Sequence, residues 1–140
     1  MKKSVFILAL ASLMWPSCSK YPEGPGISFK SKTDRLTQKW RFESVKEDGA
    51  YITAQYDGVT FEFKSDGSMS TFANWSGTQV EFPGTWEWTA DKTGIIIEQE
   101  DTSYANSFSS NWKIIRLSQE QLKAEEDYLG TLYEYDMRPI

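Results

Sequence analysis

The chain offers few residues for catalytic chemistry. It has one cysteine, Cys18, and no histidine. Without histidine there is no Ser–His–Asp or Cys–His nucleophile system and no His-based zinc or iron site. A single cysteine makes neither an internal disulfide nor a Cys₄ site. Carboxylates are plentiful, 20 Asp and Glu in all, so a pair for acid–base work means nothing until geometry selects one. Glu125, Glu126 and Asp127 read as a solvated strand or turn. Asp66-Gly67-Ser68 lacks the further Asp or Asn ligands of a calcium loop. Asn74-Trp75-Ser76 fits the glycosylation pattern, but three residues carry little weight. There is no Gly-rich phosphate loop and no nucleophile elbow. The expectation is therefore a protein that is not an enzyme and needs no metal or cofactor. Fifteen Lys and Arg against 20 acidic residues leave a net charge of −5. With no basic cluster, nucleic acid is excluded as a partner.

Cys18 stands in an informative setting. Met1-Lys2-Lys3 is a short positive segment, and Val5 to Trp15 is an apolar run. At ~1.5 Å per residue that run is too short for a ~30 Å hydrocarbon core. It suits the apolar part of a secretory signal. Pro16 and Ser17 follow, then Cys18, then a Pro- and Gly-rich stretch. The segment resembles the signal peptide of a Gram-negative bacterial lipoprotein. In that family cleavage falls just before a Cys whose thiol carries a lipid. Ser17 supplies the small residue required before the cut, while Trp15 and Pro16 depart from the usual Leu-small pattern. The resemblance implies cleavage after residue 17, lipid attachment at Cys18 and a membrane anchor of three acyl chains. Ser19 stands where Asp would signal inner-membrane retention, so the implied address is the outer membrane of the cell envelope, with the periplasmic or surface face left open.

Residues 18–35, rich in Pro, Gly, Ser and charge, read as a flexible tether, and residues 36–140 as one domain. Hydrophobic content of 39% and aromatic content of 15% suffice for a packed core. Asp-Gly occurs at 48–49, 57–58 and 66–67, a constant interval that suits seven-residue strands and two-residue turns. "AYITAQY" and "VTFEFKS" are the strands between. Period-two alternation recurs: Trp40 and Phe42 share a face, as do Val59, Phe61 and Phe63, then Val80 and Phe82, Trp86 and Trp88, and Tyr133 and Tyr135. In "SNWKIIRLS" Ile115 and Leu117 share one face and Trp112 and Ile114 the other, and either fits the interior. Residues 118–121 read as a turn and 122 onward as a strand, although 118–127 also has helical propensity. Residues 100–111 read as the longest loop. The sum is an all-β chain of eight to nine antiparallel strands. Such an up-and-down meander hides its edges by closing into a barrel.

The domain resembles the lipocalin-like domains of short bacterial outer-membrane lipoproteins. "LTQKWRFESV" is similar to their opening "LxGxWxxxSV", with Gln38 in place of Gly. "FEFKSDGSMS", "GTWEWTADKTGIII" and "WKIIRLSQEQL" resemble three later motifs, so the likeness runs from Leu36 to about Met137. It implies a calycin-type barrel with Trp40 closing the base.

Trp40, Phe42, Phe61, Phe63, Trp86, Trp88, Tyr133 and Tyr135 are the expected interior. They either fill the barrel or leave some rings lining an apolar pocket. Trp75, Tyr104 and Phe108 are expected on loops, as contacts for a partner or as a lid. Two functions follow: non-covalent binding of a small apolar or amphipathic ligand, or a solid barrel whose loops contact an envelope protein or glycan.

Overall fold

The computed structural model describes residues 30–101 and 106–140. Cys18, the expected signal segment, most of the expected tether and Tyr104 lie outside the described residues. A short helix α1 (Lys32–Leu36) precedes nine strands: β1 (Lys39–Glu47), β2 (Ala50–Tyr51), β3 (Thr60–Phe63), β4 (Ser68–Trp75), β5 (Thr78–Trp88), β6 (Gly94–Asp101), β7 (Asn106–Leu117), β8 (Leu122–Tyr128) and β9 (Thr131–Pro139). Each strand from β3 to β9 pairs antiparallel with its predecessor in the barrel, and β9 returns to β1 from Trp40↔Pro139 to Glu47↔Tyr133. The result is an eight-stranded antiparallel barrel, with β2 as a short addition to the end of β1. Closure leaves no long free edge.

Turn chemistry explains the meander. Asp48-Gly49, Ser76-Gly77 and Leu129-Gly130 each place two consecutive residues at positive φ, the backbone of a tight hairpin turn whose twist matches its strands. Asp66 supports the β3–β4 turn by accepting from the Ser68 amide (2.9 Å) and hydroxyl (2.6 Å). The middle Asp-Gly behaves differently. "AYITAQY" is not a full strand: β2 stops at Tyr51 and Thr53–Tyr56 is a 3₁₀ turn. The cause is the register of β1. β3 pairs with residues 39–41 of β1, whereas β2 pairs with residues 46–47 at its far end. The chain must travel back along β1 between them. Thr53 secures that path, its hydroxyl accepting from the Val45 amide at 3.1 Å.

Two bulges set which side chains face inward. In β1 the pairing with β9 shifts between Phe42 and Ser44, so Trp40, Phe42 and then Val45 point to the core. In β7 the shift lies between Ile114 and Arg116. Trp112, Ile114 and Leu117 are therefore all buried, and the residues that simple alternation puts on opposite faces share one. An extra residue in one strand re-aims everything beyond it. The expected loop at 100–111 is mostly strand, since β6 runs to Asp101 and β7 starts at Asn106. Phe108 accordingly sits on β7 and Trp75 ends β4, rather than either lying on a loop. Residues 118–121 are the expected turn and β8 the expected strand.

The two barrel ends are finished differently. At the base, α1 docks across the opening. Ser31 and Asp34 form a reciprocal capping box, which starts this very short helix. Leu36 is fully buried beneath it. The Arg35 guanidinium donates to the Leu117 carbonyl (3.1 Å) and the Gln38 amide to the Gln119 carbonyl (3.1 Å). Residues 31–35, expected in the tether, thus belong to the folded unit. At the other end, where the 48–49, 76–77 and 129–130 turns gather, the described residues supply the 3₁₀ turn and no helix comparable to α1.

Candidate functional site

Of the expected interior aromatics, Trp40, Phe63, Trp86 and Trp88 pack the base. Their indoles are all satisfied. Trp40 Nε1 donates to the Leu36 carbonyl (2.9 Å), Trp86 Nε1 to the Lys64 carbonyl (2.8 Å) and Trp88 Nε1 to Thr33 Oγ1 (3.2 Å). Trp86 meets Trp88 edge-on with centroids 5.7 Å apart, and Phe63 meets Trp86 in the same way at 6.0 Å. This half of the interior is a packed core.

Phe42, Phe61 and Tyr135 sit higher and line a cavity of about 130 Å³, together with Tyr56 from the 3₁₀ turn, Trp112 from β7 and Glu126 from β8. The rings interlock around it. Phe42 lies 5.0 Å from Tyr56 and 5.5 Å from Phe61, both edge-on, and Trp112 lies 5.4 Å from Phe61 and 4.9 Å from Tyr135. Tyr133, partly buried, stacks on Tyr135 at 6.3 Å. An apolar cavity of about 150 Å³ accommodates benzene, so this one suits a single ring or a compact branched group.

Two features make the cavity more than a packing gap. The first is Glu126, which is only 6% exposed. Its carboxylate accepts from the Ser110 hydroxyl at one oxygen and from the Tyr135 hydroxyl (2.8 Å) at the other. The expectation of a solvated Glu126 is thus corrected. It follows Leu122 and Ala124 with the same period-two spacing, and all three point inward. The alternation was present in the sequence, but the acidic run Glu125-Glu126-Asp127 masked it. The second is Trp112, 3% exposed, whose Nε1–H finds no acceptor among the described residues. A buried unsatisfied donor costs roughly 1–3 kcal/mol.

The electrostatics follow from burial and the Glu126 charge. Burial pushes the Tyr135 hydroxyl far above the usual tyrosine range, reinforced by the hydrogen bond to Glu126 and then by its charge. Tyr56 is raised by burial, then by Tyr133 and Glu126. Tyr133 is raised by loss of solvent, then by Glu47. All three hydroxyls stay protonated donors at neutral pH.

No family model and no curated protein matches the chain. What the site does must therefore be read from its own atoms. Among the described residues no three Asp or Glu side chains gather as metal ligands. The cavity wall offers aromatic rings, the Gln99 amide and the Glu126 carboxylate with its two hydroxyl donors, Ser110 and Tyr135. Of the residues expected as loop contacts, Trp75 lies apart from it, 73% exposed at the β4–β5 tip, whereas Phe108 lines the cavity, 6.1 Å from Tyr128.

Proposed function

We propose that this protein is a lipid-anchored, lipocalin-like barrel of the bacterial cell envelope that binds a small apolar or amphipathic molecule without covalent chemistry. The observation that carries the binding reading is the cavity near the barrel mouth, walled by six aromatic rings with one buried carboxylate. A core needs no buried charge and no orphaned indole, and both cost stability unless something compensates. Pockets for small molecules combine an apolar wall with a few placed polar groups, and this wall has that composition. The cavity holds only part of a larger molecule, so an amphipathic ligand would insert its compact end and leave the rest at the mouth.

The anchor reading rests on the sequence from Met1 to Ser19 and on its likeness to lipoprotein signals. Lipid at Cys18 would hold the barrel at the outer membrane, since several acyl chains together bind stably at roughly 0.8 kcal/mol per buried CH₂. It predicts incorporation of labelled palmitate into the wild-type chain and none into Cys18→Ser. Equal labelling would overturn it. The binding reading is tested by adding an organic extract of the cell envelope to the protein and following the tryptophan indole N–H resonances. Movement of Trp112 with Trp40 unmoved supports a ligand at the mouth. An unmoved Trp112 contradicts it.

A second reading, an interaction module for an envelope protein or glycan, draws on the mouth-end hairpin tips. Trp75 is 73% exposed there and Leu129 90%, and exposed aromatic side chains suit such contacts.

A further inference from the structure

We infer that the mouth cavity selects a small organic cation, an alkylammonium group that also carries an oxygen acceptor. This rests on the cavity being a binding site and narrows it to one charge class. Glu126 is buried, and the partners of its carboxylate are two neutral hydroxyls, those of Ser110 and Tyr135. Tyr135 keeps its proton in that bond, because its pKa is driven upward. Both hydroxyls act as donors to the carboxylate, and neither brings a positive charge. Among the described residues no Lys or Arg side chain lines the cavity. A buried carboxylate is stabilised best by a cation, and here the cation would come from the ligand.

The rest of the wall agrees. Phe42, Tyr56, Phe61, Trp112 and Tyr135 enclose the space, and aromatic faces attract an ammonium, most strongly when it is desolvated. A trimethylammonium group has the compact, branched shape that about 130 Å³ admits. The Trp112 indole N–H lacks an acceptor, and a hydroxyl or ether oxygen on the ligand would supply one. The same wall rejects an anion. A fatty-acid carboxylate placed here would face Glu126 without a compensating charge, so the site discriminates against the commonest amphipathic anion.

The test uses three probes of one shape: choline, its neutral carbon isostere 3,3-dimethyl-1-butanol, and the anion 3,3-dimethylbutyrate. Each is titrated into the intact protein while the Trp112 indole N–H is followed, its resonance assigned by loss in Trp112→Phe. Choline is expected to bind at least about tenfold more tightly than the alcohol, with the anion weakest. In Glu126→Gln the ratio of choline to alcohol affinity is expected to fall to about one. The wild-type comparison stands alone if this variant does not fold. Alcohol binding as tight as choline, or tighter butyrate binding, would overturn the cation inference and leave the cavity reading intact. No response to any probe would remove both. A short-chain phosphatidylcholine below its micellar concentration separates the sources: tighter binding than choline assigns the cation to a lipid headgroup, weaker binding to a free amine.

Discussion

The two ends of this barrel are built from the same residue types and finished in opposite ways. At the base three tryptophans each donate to a named acceptor, and a capped helix turn seals the opening. At the mouth Trp112, also buried, has no acceptor among the described residues, and a carboxylate lies buried beside a cavity. The lesson is that aromatic content does not separate core from site. Polar satisfaction is the difference between the ends: the base indoles all have acceptors, whereas the mouth combines an indole without one among the described residues with a buried carboxylate.

The largest effect is expected at the base. Leu36→Ala, beneath α1, should cost about 2–5 kcal/mol through lost burial and a residual cavity. Urea unfolding checks this, and the cavity should still take ligand in the folded fraction. A sharper comparison sets Trp86→Phe against Trp112→Phe. Both lose similar ring volume, but the first strands the Lys64 carbonyl while the second removes an orphan donor. Trp86→Phe should be the costlier by about 1–3 kcal/mol. Equal costs would erase the distinction between the two ends.

Alkaline pH probes the mouth alone. Tyr135 has a higher pKa in the folded than in the unfolded chain. The folded state therefore holds its proton more tightly, and that stability is complete below about pH 10 and lost progressively above it. Tyr135→Phe should flatten the fall of stability above pH 10, with Tyr56 and Tyr133 leaving a residual slope because they shift the same way. Denaturant midpoints from pH 8 to 11 measure this. The smallest effect belongs to Trp75→Ser at the exposed hairpin tip, expected within about 0.5 kcal/mol of wild type. A larger loss would mean Trp75 is part of the packed structure.

Much of the fold was legible in the sequence, and the parts that were not have physical causes. Alternation at Trp40 and Phe42, at Phe61 and Phe63 and at Trp86 and Trp88 reports the inner face directly. Asp-Gly at 48–49 and 66–67 marks true hairpins. The same dipeptide at 57–58 follows a 3₁₀ turn, because β3 pairs with the start of β1 and the chain must double back, a constraint of three-dimensional register that local sequence does not carry. The inner face of β7 was ambiguous because a bulge at Ile115 brings Leu117 to the same side as Trp112 and Ile114 and leaves Ile115 outside the core. Residues 100–111 look like a loop because the strands at the mouth expose residues such as Glu98, Glu100, Phe108 and Ser109 to solvent. For the site, Phe42, Phe61 and Tyr135 were visible as aromatics on inner faces. Glu126 was not, because a buried carboxylate among neighbouring acids reads as surface. Only the strict period from Leu122 through Ala124 gives it away.

Native mass spectrometry of the intact protein recovered from its own cells tests the central claim most directly. A binding cavity at the mouth predicts a stoichiometric small-molecule adduct, restored by envelope extract after it has been stripped. A bare mass both on recovery and after incubation with the extract would contradict it, and the barrel would then be solid in function as well as at its base.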